Sequence, residues 1–149
     1  MILDSLLTLS DAQAVSASAY STNTIDNGNV TPKRDIGVGE TLAIVFTVDV
    51  AADLASGDET YQFEFVQSAN ADLSSHDSLE AIAVSRTDLV AGYSFVMPIP
   101  SGRVTKRYVG VRYTLGGTTP SITVTAQLQP RCMASIAKPI SYAKGYTIS

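Results

Sequence analysis

A chain of 149 residues has the size of one domain, and folding at that length buries roughly 68–70% of the surface the unfolded chain exposes, so a core forms without metal or disulfide support. The balance of 14 acidic against 10 basic residues argues against a sequence-independent nucleic-acid binder, whose affinity comes from a basic face that neutralises phosphates. A single cysteine, Cys132, and a single histidine, His76, exclude an intramolecular disulfide and a zinc site, leaving reducing cytoplasm, or a particle assembled there, as the simplest compartment.

The N-terminal run MILDSLLTLSDAQAV lacks a basic leading region, and Asp4 interrupts its apolar stretch, so it does not read as a signal peptide. No run approaches the roughly 18 apolar residues of a membrane span, and no membrane partner is expected. Met1 to Leu9 fits a short helix with Ile2, Leu3, Leu6 and Leu7 on one face, or an anchoring extended segment. DAQAVSASAYS alternates small apolar and small polar residues, with Tyr20 as its one large anchor, and STNTIDNGNVTPK is turn and loop chemistry. Two readings of residues 1–33 stay open: an N-terminal arm with a flexible connection, or a first strand and loop of the body.

From Arg34 to Val50 the chain passes through a glycine-punctuated turn, Gly37-Val38-Gly39, into a clean alternation. Leu42, Ile44, Phe46, Val48 and Val50 share one face, as period two in a strand requires. The design recurs in TYQFEFVQ, with Tyr61, Phe63 and Phe65 on one side, and in YSFVMPI, which Pro98 and Pro100 end at an edge or corner. LEAIAVSR has an ambiguous period that Ile82 and Val84 tip toward strand. KRYVGVRYTL sets Val109, Val111, Tyr113 and Leu115 one way, and SITVTAQLQ sets Ile122, Val124, Ala126 and Leu128 inward, with Thr123, Thr125, Gln127 and Gln129 outward. Six or seven short strands with polar turns between them predict an all-β sandwich or barrel over residues 34–129. Residues 130–149 break the pattern with Pro130 and Pro139 and carry Lys138 and Lys144 but no acid, which fits a second extended arm or a final strand folding back.

No catalytic constellation emerges, and no enzyme activity and no cofactor are expected. His76 lies in SSHDS, where neighbouring residues of one loop do not converge as a triad needs, so it is expected to be solvated. Asp49, Asp53, Asp58 and Glu59 lack the spacing of a calcium loop. Gly37 and Gly39 precede a strand rather than a helix and do not make a phosphate cradle. Arg103, Lys106, Arg107 and Arg112 cluster around Tyr108, and a protein interface suits them better than a nucleic-acid stripe in an acidic chain. Hydrophobic content of 45% with 16% charged residues leaves a largely uncharged polar surface, which loses little when a partner covers it.

The run MILDSLLTLSDAQAVSASAYSTNTIDNG, the motif RDIGVGE and the segment LVAGYSFVMPIPSG followed by KRYVGVRYTLGG resemble the capsid cement proteins of tailed bacteriophages, and more narrowly the Bordetella phage head cement family. The resemblance covers most of residues 1–129. It implies a jelly-roll body on the outer surface of an HK97-like shell, assembled in the bacterial cytoplasm. The partners it implies are the major capsid protein and further copies of the chain, as homodimer or homotrimer. Contacts with capsid or subunit are then expected from Leu3, Leu6, Leu7, Val15, Tyr20 and Ile25 in the arm, Arg34 and Asp35 in the motif, Arg103, Arg107 and Arg112 in the basic cluster, and Tyr142 and Tyr146 in the tail. A chain without residues 1–20 is expected to fold and to lose decoration. The competing expectation is a β-sandwich module that binds carbohydrate or a receptor, although the chain has no tryptophan for stacking on sugars.

Overall fold

The computed structural model describes residues 5–29, 39, 41–131 and 134. Among them, β-strands make two antiparallel sheets packed face to face. In the first sheet β1 (Thr8–Val15), β9 (Ile122–Pro130), β4 (Leu42–Val50) and β7 (Ser94–Pro98) lie side by side in that order. In the second, β2 (Ala19–Tyr20) and β3 (Ile25–Asp26) follow one another along β8 (Tyr108–Gly116), and β5 (Thr60–Ser68) and β6 (Asp77–Val84) complete it. The chain therefore winds back and forth between sheets, which is the jelly-roll course that the alternating segments predicted.

The alternation places the core. Ile44, Phe46 and Val48 of β4, Val111 and Tyr113 of β8, and Val124 and Ala126 of β9 are fully buried between the sheets. Phe46 stacks on Phe95 at 4.9 Å, and Phe63 meets Phe95 edge-on at 4.9 Å and Tyr113 edge-on at 5.9 Å. Edge-to-face and offset pairs of this kind add to the area that the rings bury. Val50, assigned to the same inward row, is 59% exposed, because the β4–β9 register slips between Val48 and Val50 and turns the last residue out. Gln127 and Gln129 point away from the core as expected yet are buried, with Gln127 Nε2 donating to Thr8 Oγ1 at 3.2 Å.

Residues 8–26, expected either as an arm or as a first strand, belong to the body. β1 pairs with β9 from Thr8↔Gln127 to Val15↔Ile122, and Leu9 and Val15 enter the core. The alternation that slips at Ala14-Val15 is a strand with two register breaks, and Ala12 sits at φ 43 between them. A chain without residues 1–20 would lose β1 and β2, so the expectation that it folds does not hold. The helix expected over Met1 to Leu9 is, in its described part, one 3-10 turn, Ser5–Leu7, running directly into β1.

Strand direction gives the sandwich two distinct ends. Ser5, Asn29, Thr41 and Arg131 all lie at the end where β4, β8 and β1 begin and β9 finishes: Asn27 N donates to Arg107 O at 2.8 Å, and Arg131 N to Thr41 O at 2.7 Å. The opposite end carries the connections 51–59, 85–93 and 117–121.

Candidate functional site

On the outside of the second sheet, side chains fasten β2, β3 and the 69–76 connection to β8. His76 Nδ1 lies 2.8 Å from Tyr20 Oη, and its Nε2 lies 3.2 Å from Arg112 Nη1, with the Tyr20 ring edge-on at 5.4 Å. A guanidinium only donates, so Nε2 accepts, and the neutral imidazole carries its hydrogen on Nδ1 and gives it to the Tyr20 oxygen. His76, expected as a solvated loop residue, is half-buried and joins three elements. Beside it Lys106 Nζ meets Asp77 Oδ2 at 2.7 Å. Arg107 grips Asp26 through Nε and Nη2, both at 2.8 Å, and lies 4.9 Å above the Tyr108 ring. The paired carboxylate raises the Arg107 pKa further.

The 69–76 connection is built around Leu73, which is fully buried although it lies outside the sheets. A Cβ at Gly110 would stand 2.6 Å from Leu73 Cδ1 and 2.9 Å from Ser21 Oγ, so the leucine closes on bare backbone at that point of β8. Leu73 and Ser75 adopt φ of 60° and 54°. Hydrogen bonds hold that conformation: Ser68 Oγ donates to Ser74 O at 2.6 Å, and Asp72 accepts from Ser74 N and Oγ, which lowers its pKa.

At the far end each carboxylate has its own protein donors. Glu59, with no side-chain exposure, accepts from Ser56 N at 2.7 Å, Gly57 N at 3.0 Å and Arg86 Nη1 at 3.4 Å. Asp58 accepts from Thr118 N and Oγ1, both at 3.0 Å, and these bonds lower its pKa. Asp49 takes the Thr125 hydroxyl at 2.6 Å. No group of three His, Cys, Asp or Glu converges as a metal-ligand set among the described residues, and no helix there is long and apolar enough to cross a membrane. Val50, Leu54, Val90 and Tyr93 are exposed at this end, where Ala52 N donates to Leu89 O and Gly92 N to Val48 O.

The expected contact residues separate into three sets. Val15 is core, and Leu7 and Ile25 pack against it. Tyr20, Arg107 and Arg112 are engaged within the chain, whereas Leu6, 83% exposed, and Arg103 face solvent. Leu3, Arg34, Asp35, Tyr142 and Tyr146 lie outside the described residues, as does Cys132. Sequence reasoning passed over His76, Leu73 and the exposed apolar end. A leucine in an otherwise polar connection, ANADLSSHD, was the available signal for the plug.

The family model Bbp16 matches residues 9–128 of the chain. No curated protein matches. Among solved structures, the crystal structure of PBSX exported protein XepA is similar, with 14% identity and a TM-score of 0.40 over 95% of this chain and 40% of that one.

Proposed function

Because the chain belongs to the Bbp16 family, a Bordetella phage family, and is on that ground a phage structural protein, we propose that it sits on the outside of an HK97-like head and cements neighbouring capsomers. The observation that carries this reading is the common end from which the chain leaves the body: Ser5, Asn29, Thr41 and Arg131 flank every segment outside the sandwich, and all four lie there. A stiff body with its extensions on one side is what an adhesive subunit requires. Ordering an extension costs about 1–2 kcal/mol of backbone entropy per residue, which new main-chain hydrogen bonds and buried area must offset on docking. Repetition over a symmetric shell adds avidity, so modest single contacts suffice. In this role the major capsid protein is the partner, the virion surface is the location, and no catalytic group is needed.

The test is co-sedimentation of the purified full-length chain with expanded shells lacking it, alongside a chain ending at Ala134. Full decoration by the first and at least tenfold weaker binding by the second are expected. Failure of the full-length chain to bind shells, or binding to a glycan array in their place, overturns the proposal.

A further inference from the structure

We infer that β6 is the edge at which a second copy of this chain adds, β6 against β6 and antiparallel across a two-fold axis, so that the two second sheets continue as one. Each open sandwich has four edges, and an unprotected one is a template for another strand. Three are protected in this fold. β1 is broken twice in register, holds Ala12 at φ 43, and is covered by the turn after β2, where Asn23 N donates to Leu9 O at 2.9 Å and Asn23 Nδ2 to Thr8 O at 3.1 Å. β7 has five residues and ends in Pro98. β2 and β3 are two residues each.

β6 has none of these devices. It runs for eight residues, DSLEAIAV, without proline, glycine or lysine, and among the described residues only β5 pairs with it. Its single register break falls opposite Phe65 and Val66, leaving Glu80 to Val84 as a regular stretch. Ala81 and Ala83 there are exposed, while Ile82 and Val84 are half-buried hydrophobics that pack against the core yet stay partly open at the sheet margin.

The stretch is also its own complement. With the axis through Ile82, Ala81 of one copy faces Ala83 of the other and Glu80 faces Val84, so small residues meet and no two carboxylates oppose. An axis through Glu80 would set the two carboxylates against each other, which is unfavourable for a directly opposed pair. Asp77 falls outside the paired stretch and is already held by Lys106. Such a contact is isologous and closes at two copies. It stands on edge geometry alone, independent of capsid binding.

The experiment uses the full chain with Cys132→Ser, followed by size-exclusion with light scattering at tens of micromolar. A two-chain mass is expected, and adding Ile82→Cys gives a covalent dimer on oxidation, because the axis sets that position against itself. Ala81→Glu with Ala83→Glu brings carboxylates face to face and weakens dimerisation at least tenfold, whereas Ala81→Lys with Ala83→Glu brings opposite charges together and restores it. Both pairs of positions are exposed, and circular dichroism checks that each variant is folded. A monomeric parent overturns the inference whether or not it decorates shells, and so do equal dimer affinities for the two double variants.

Discussion

Tyr113 shows how one side chain ties the fold to pH. Its ring is fully buried between the sheets, and its hydroxyl donates to Ser10 Oγ at 2.7 Å, which in turn donates to Gln13 Oε1 at 2.7 Å. Burial pushes the phenol well above the ordinary tyrosine range, and Tyr61 is raised for the same reason. An unfolded tyrosine releases its proton near pH 10, while the folded one keeps it. The stabilisation is therefore intact below about pH 10 and falls as pH rises beyond it. Tyr113→Phe is expected to cost about 1 kcal/mol near neutrality through the lost hydrogen bond, and to make the alkaline decline shallower. Urea midpoints on both sides of about pH 10 check it, and an unchanged alkaline slope would count against it. A second residue-scale effect is steric. Gly117 has φ +91, and a Cβ there would come within 2.5 Å of Asp58 O, a backbone atom that cannot swing away. At Gly116 the nearest atom is the Thr60 hydroxyl, at 2.6 Å, and it can rotate. Gly117→Ala is expected to lose about 1–3 kcal/mol and Gly116→Ala clearly less, as thermal melts will show.

At the scale of elements, the strands were legible because period two is a local signal. Every second residue of β4, β8 and β9 faces the core, and the inward rows Val109, Val111, Tyr113 and Ile122, Val124, Ala126, Leu128 were readable from the sequence. What lies on the outer faces was not legible. Glu64 and Val66 have the outward phase of β5 yet are buried, with Thr114 Oγ1 donating to Glu64 Oε1 at 2.6 Å. The Tyr20–His76–Arg112 join links residues 56 and 36 positions apart, a distance at which no periodic pattern reports. The 69–76 connection is the element that this join and the Leu73 plug hold in place. Leu73→Ala should therefore destabilise the whole protein by about 2–5 kcal/mol, a core-like penalty from a loop position, measured by chemical denaturation. A loss below 0.5 kcal/mol, the range of ordinary surface positions, would mean the connection is not anchored there. The same reasoning separates two truncations. Removing residues 1–4 leaves β1 complete, whereas removing residues 1–15 strips β9 of a neighbour and takes Leu9 and Val15 from the core. Only the first chain is expected to give a cooperative unfolding transition.

Across the whole molecule, the two ends differ in charge as well as in connection. Arg103, Lys106, Arg107 and Arg131 sit at the end where the chain leaves the sandwich, with Asp26 and Asp77 paired to two of them. Asp49, Asp53, Asp58, Glu59 and Asp88 sit at the other end with Arg86, around the exposed Val50, Leu54 and Val90. A subunit built this way presents different chemistry up and down, so the cement proposal carries an orientation: the basic, chain-bearing end meets the shell, and the acidic end points away from it. Two sets of substitutions separate that orientation from its reverse. Leu54→Asp with Val90→Asp alters only the far end and should leave shell binding within about twofold, well inside the tenfold that 1.4 kcal/mol represents. Arg103→Glu alters a solvent-facing cation at the near end without touching the pairs Lys106–Asp77 and Arg107–Asp26, and should weaken binding most at low ionic strength, where charge contacts are least screened. Loss of binding in the far-end variant with none in Arg103→Glu would turn the subunit over, placing its apolar end against the shell.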